Sequence, residues 1–301
     1  MNERRDASDS RARNDDRARE VPPFEPRLAA ASLSGQSDAA WARAAASHVG
    51  AAVLGGIALD EPTRAAAREL VARDREEFLP EDPVTFVDDQ LAALADAPLT
   101  PGFNVRATSP APVREVAAVC ADRDAVVEVN AHCRQEEMCA AGAGESLLRD
   151  GDRLCTYVRA AARTGATVSV KVRTEIEGVD LPDLSRRLAD AGADILHVDA
   201  MDSEPVVGDV ADATDAFVLA NNGVRDRATA EEYLALGADG VSVGRPSDNP
   251  TVLRRVAAAV TDWFERPERE TIPAGSGAGA ATDDGGGDGG GGGSGSGGLD
   301  P

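Results

Sequence analysis

The chain has 301 residues, 53 acidic against 31 basic, for a formal net charge of −22, with 42% hydrophobic and only 3% aromatic residues. That length can bury one large core, but the charge, spread along the chain with no basic stripe, lacks the usual electrostatic drive for gripping a polyanion unless molar salt has already screened it. With no run of 18 apolar residues and no charged-then-apolar leader, neither a membrane span nor a secretion signal is expected, and a cytoplasmic location is.

An acidic surface that is Ala- and Arg-rich and nearly free of lysine suits a high-salt interior, where screening tolerates the self-repulsion. The four cysteines, Cys120, Cys133, Cys139 and Cys155, are too few for a disulfide scaffold, and none forms a CxxC pair. Free thiols and no metal site are expected.

In chain order, residues 1–24 mix Arg, Asp, Glu and Ser without hydrophobic period and read as a disordered lead-in. Short apolar runs then recur at Leu28–Leu33, Ala51–Gly56, Gly102–Arg106, Ala125–Asn130, Thr167–Val172, Ile195–Asp199, Phe217–Asn221 and Gly240–Gly244. Stretches with apolar residues three and four apart, such as Leu181–Ala191 and Ala228–Leu236, lie between them and read as amphipathic helices. Eight strands alternating with helices over residues 25–266 predict an α/β protein of the (β/α)8 barrel type in a single domain. A doubly wound open sheet is the competitor. Residues 267–301 form a Gly-rich tail that cannot bury enough surface to offset its ordering entropy.

In a barrel of this kind the chemistry gathers at the C-terminal ends of the strands. Polar groups collect there: Asn104 in the third strand, Asn130 with His132 and Cys133 after the fourth, Lys171 and Arg173 in the fifth, His197 and Asp199 in the sixth, Asn221-Asn222-Gly223 after the seventh, Gly244-Arg245 after the eighth. Lys171 is the one lysine among 31 basic residues. A chain that otherwise uses arginine throughout has put a compact ammonium group here, on a flexible stem and with a readily shifted pKa, where arginine would be a rigid fork. Taken alone, the same residue also reads as a lysine snorkelling from a strand end. Gly-containing turns after strands seven and eight are where such barrels commonly hold a phosphate on backbone N–H groups.

The run Val127-Glu128-Val129-Asn130-Ala131-His132-Cys133, followed by Gly142-Ala143-Gly144-Glu145-Ser146-Leu147-Leu148, resembles the Asn-x-x-Cys loop and downstream Gly-x-Gly-x-x-Leu-Leu of the tRNA-dihydrouridine synthase family. Val168-Ser169-Val170-Lys171-Val172-Arg173 is similar to its Val-Thr-Val-Lys-x-Arg strand, and the segment from Ala191-Gly192-Ala193-Asp194 to Val198 to its Ala-Gly-Ala-x-x-x-x-x-His segment. Asn222-Gly223 and Gly244-Arg245 resemble its last two turns, and the likeness runs from about residue 26 to 260. It implies an FMN-dependent oxidoreductase that reduces the C5=C6 bond of uracil in tRNA, with NADPH as reductant. It further implies that Cys133 is the proton donor, that Lys171 sits beside the flavin, and that Asn104, Asn130, His197, Asn222, Gly223, Gly244 and Arg245 contribute to cofactor binding.

The chain departs from the family in three places. Arg134 follows Cys133 where proline is usual, the first strand lacks the flavin-contacting methionine, and a single helix, Thr251–Phe264, stands where bacterial members continue into a tRNA-binding domain. This resembles a truncated archaeal, haloarchaeal branch, and it keeps a rival open in which a dihydroorotate or dihydropyrimidine dehydrogenase-like flavoenzyme acts on a free pyrimidine. Two further alternatives are a metal-dependent pentose-phosphate epimerase, from the run Leu196-His197-Val198-Asp199-Ala200-Met201-Asp202, and a Lys171 Schiff-base lyase or non-catalytic phosphate-binding barrel.

Overall fold

The structure, a computed structural model, describes residues 22–265. The Gly-rich tail and all but the last three residues of the expected lead-in lie outside the described residues. Eight parallel strands close into a barrel in sequence order: β1 Leu28–Ala30, β2 Ala51–Ala58, β3 Thr100–Arg106, β4 Val126–Asn130, β5 Thr167–Arg173, β6 Ile195–Asp199, β7 Phe217–Asn221 and β8 Gly240–Val243. β8 pairs with β1 through Leu28–Val241 and Ala30–Val243, which excludes the open doubly wound sheet. Among the described residues no helix is long and apolar enough to cross a membrane.

The acidic composition shapes the helices directly. Asp38, Asp60, Asp82, Asp150, Asp180 and Asp226 each cap a helix N-terminus, their carboxylates accepting from backbone N–H groups in the first turn. The sequence Gly-Ala-Asp occurs before both β6 and β8 and does the same job twice. Gly192 and Gly237 both adopt φ +106°, and Asp194 and Asp239 accept from Val168 N–H and Val218 N–H at 2.8 Å.

Strand alternation sorts the side chains into two sets. Val127, Val129, Val168, Val170, Val172, Leu196 and Val198 face the helical shell and join the main core. The inward set changes character along the barrel axis. Its floor is apolar, built from Ala29, Ala51, Val126, Ile195 and Leu219 together with Phe24, which stands edge-on to Phe217 at 5.3 Å. Phe24 is therefore part of the barrel, whereas the sequence had suggested disorder through residue 24. Two residues further along each strand the interior turns polar, with Asn104, Glu128, Ser169, His197 and Ser242 all buried.

Candidate active site at the C-terminal mouth

Glu128 is the centre of the polar layer. Its carboxylate is fully buried and accepts from Asn104 Nδ2 at 2.7 Å and Ser169 Oγ at 3.0 Å, and His197 Nδ1 lies 2.7 Å away. Burial alone would push this carboxyl upward. The pull of His197, Lys171 and the Asn104 hydrogen bond outweighs it and holds Glu128 down at about 2. An ionised carboxylate only accepts, so His197 must carry its proton on Nδ1. Burial lowers the His197 pKa, which keeps the ring neutral and leaves Nε2 to accept from Ser242 Oγ at 2.8 Å.

The same logic orients the loop above. Asn104 turns its amide N–H to Glu128, so its Oδ1 accepts from Asn130 Nδ2 at 2.9 Å. Asn130 Oδ1 then faces the loop and accepts from Cys133 N–H at 2.9 Å and His132 N–H at 3.2 Å. A buried carboxylate thus fixes, through two amides, the backbone of the Asn130–Cys133 segment. Gly56 completes the packing, since a Cβ there would lie 2.4 Å from Asn104 Oδ1.

Lys171 is 4% exposed, and its ammonium has no hydrogen-bond partner among the described residues. It acts electrostatically on Glu128, His132, Asp199 and His197. With His197 neutral, Lys171 is the counter-charge to the buried Glu128. The neighbouring arginines are committed elsewhere. Arg106, fully buried, pairs with Glu77 and donates to the Gly56 carbonyl, and Arg173 Nη1 lies 3.3 Å from Glu145.

The residues expected at the site fall into three groups. Lys171, Asn130, Asp199 and His132 converge at the mouth, where His132 Nε2 lies 2.6 Å from Asp199 Oδ2. Asn104 and His197 lie beneath, sealed at 0% exposure, with their polar atoms already bonded to protein. Asn222, Gly223, Gly244 and Arg245 form the opposite rim. Asn222 and Gly223 take φ +99° and +65°, Asn222 Nδ2 donates to the Met201 carbonyl, and Arg245 is exposed. Cys133 is half-buried, packs against the cluster of Ala58, Ala66, Leu70 and Met138, and lies close enough to Arg106 for their charges to interact. All four cysteines are free thiols.

The sequence reading missed Glu128, Ser169, Ser242 and the Arg106–Glu77 pair. A signal was available for Glu128: it shares the inward phase of β4 with Asn130, so a charged residue was due to point into the barrel.

A closed parallel barrel with a polar interior and an uncommitted lysine at its C-terminal mouth is an enzyme-type (β/α)8 scaffold. The dihydrouridine synthase (Dus) family model matches residues 95–272, and the chain belongs to that family. An uncharacterised protein of Methanocaldococcus jannaschii is 23% identical over 265 residues, covering 84% of this chain and 98% of that protein. Among solved structures, FabK of Thermotoga maritima superposes with a TM-score of 0.50 at 17% identity, covering 73% of this chain and 61% of its own. This chain therefore spans about three fifths of the FabK chain. The tryptophan synthase complex of Pyrococcus furiosus gives 0.51 at 12% identity, covering 79% and 99%. Both show the barrel fold. In the family's Ala-Gly-Ala-x-x-x-x-x-His segment the histidine falls on Asp199 in this chain, and the imidazole at the mouth arrives from another strand, on His132.

Proposed function

We propose that this chain is a flavin-dependent oxidoreductase that binds FMN at the C-terminal mouth of its barrel and reduces the C5=C6 bond of a uracil ring, with NADPH as the reductant. The observation that carries the reading is Lys171: an ammonium group at the mouth, nearly buried, with no hydrogen-bond partner among the described residues and with the one lysine side chain of the sequence. A buried cation without hydrogen bonds is costly unless something else uses its donors. An electron-rich ring edge is such a partner.

The opposite rim fits a phosphate. Ser247 is buried with its Oγ unpartnered, at the turn directly after Gly244, and a Cβ added at Gly244 would point into open space. The backbone of Gly223 and Gly244, the Ser247 hydroxyl and Arg245 would hold the FMN phosphate. Bound there, FMN supplies a hydride to the substrate. The chain's own residues do the rest: Lys171 offsets negative charge on the ring edge, and the Asn130–Cys133 segment, its backbone fixed by Asn130, brings the proton donor that the family resemblance assigns to Cys133.

The charge distribution favours a free pyrimidine over tRNA as substrate. Arg106 and Arg173 at the mouth are neutralised by Glu77 and Glu145, and the chain carries −22 overall. The test is rapid mixing of the dithionite-reduced, FMN-loaded protein with orotate, uracil and an unmodified tRNA transcript. Reoxidation by any of the three supports the reading and ranks the substrates. Reduced flavin that persists equally with all three and with buffer would refute it.

A further inference from the structure

The loop after β4 carries two groups able to move a proton, and they look in different directions. The Cys133 side chain packs against Met138 and the helix Glu61–Val71 and interacts with Arg106, on the β3 side of the mouth. His132 leans the other way, toward Lys171 and Asp199, with its side chain 31% exposed. We propose that His132, oriented by Asp199, is the group that exchanges a proton with the substrate ring, in place of Cys133. The inference rests on the flavin-reductase reading above and assigns a residue within it.

Protonation follows from the partners. Asp199 experiences opposing influences: burial raises its pKa, while the His132 hydrogen bond, the Met201 N–H and the Lys171 charge lower it, and the lowering wins. The carboxylate is therefore ionised and can only accept, so the 2.6 Å contact requires the His132 proton on Nε2. That leaves a lone pair on Nδ1, which has no protein partner among the described residues and is absent from the orphaned buried atoms. The groups facing His132 are Asp199 from β6 and Lys171 and Arg173 from β5. Burial, Lys171 and Arg173 lower its pKa and Asp199 opposes them, leaving the imidazole neutral at pH 7.

The atoms balance simply. Reducing a ring C=C bond takes a hydride, supplied by the flavin class of carrier, and a proton. The proton leaves His132 Nδ1 in the imidazolium form, the N–H bond breaks as the C–H bond forms, and the neutral ring takes its next proton from water through its exposed edge. In the reverse direction the resting Nδ1 lone pair is already the base. Asp199 is a positioning residue: it fixes the tautomer and raises the basicity of the ring.

The full-length chain has three histidines, His48, His132 and His197, so each can be followed by nitrogen-15 NMR of histidine-labelled protein, with His132→Gln supplying the assignment. The expected result is a His132 ring protonated on Nε2 at pH 8, becoming doubly protonated only below the ordinary histidine range, while His197 stays the opposite tautomer throughout. A His132 ring carrying its proton on Nδ1 would overturn the proposal whether or not flavin is bound. In the reoxidation assay with orotate or uracil, His132→Gln should slow proton-coupled turnover by roughly 10²–10⁴-fold with flavin binding retained, and Cys133→Ser by less than about tenfold. Asp199→Asn should move the pH limb of that step to lower pH, which loss of packing alone would not do. The reverse pattern, with Cys133→Ser inactive and His132→Gln normal, overturns the inference and leaves the flavin-reductase reading standing. If the parent protein is not reoxidised at all, that reading fails, and the tautomer alone decides the His132–Asp199 assignment.

Discussion

Replacing Glu128 by glutamine isolates the buried charge on which the mouth is built. The amide keeps one acceptor but turns an NH2 toward groups that are themselves donors, and it removes the counter-charge of Lys171. Two routes give the size of the loss. The carboxyl falls from 4.5 to about 2 on folding, a difference of roughly 2.5, which at about 1.4 kcal/mol per unit is about 3 kcal/mol. Removing one partner of a buried charge pair ordinarily costs about 3–5 kcal/mol. For a barrel of this size that corresponds to a fall in Tm of roughly 6–12 °C. The sign of the pH dependence is fixed as well. Because the folded pKa lies below the unfolded one, the stabilisation is complete above about pH 4.5 and is lost as pH falls toward 2. Calorimetry of both proteins in molar KCl from pH 2.5 to 7.5 should therefore show a constant Tm gap above pH 5 that closes in acid. A gap under about 2 °C at pH 7, or one that does not narrow in acid, would refute the account of the polar layer.

Lys171→Arg keeps the charge but puts a wide planar fork where a point donor stands among Glu128, His132 and Asp199. Flavin affinity or the rate of flavin reduction by NADPH should fall at least tenfold, as read by fluorescence titration and stopped flow. Gly244→Ala separates folding from binding: its φ is −83° and a Cβ there meets nothing within 4 Å, so stability should change by less than about 1 kcal/mol while flavin binding weakens.

The barrel was readable from the chain because its signals are local. β6 and β7 match their apolar runs residue for residue, and β5 differs only by including Arg173. β1 proved shorter than its apolar run, ending at Ala30, because the chain turns at Ser32–Gln36 to let Ser37 bond the Gly55 carbonyl, a pairing distant in sequence. The site was legible as a set of strand-end residues but not as a geometry. Sequence spacing does not distinguish His197, which is sealed under the mouth, from His132, which reaches it, because the first is placed by strand phase and the second by a loop. The pairs that decide the chemistry, His132 with Asp199 and Glu128 with His197, join residues 67 and 69 positions apart. Only closure of the barrel brings them together.

The central claim is that this barrel holds a flavin, and the most direct measurement is the absorbance spectrum of protein purified in molar salt with FMN supplied, then desalted and denatured. The account predicts a released flavin spectrum at close to one FMN per chain, lost in Lys171→Arg or Gly244→Ala protein that remains folded. A colourless supernatant from folded parent protein would contradict it.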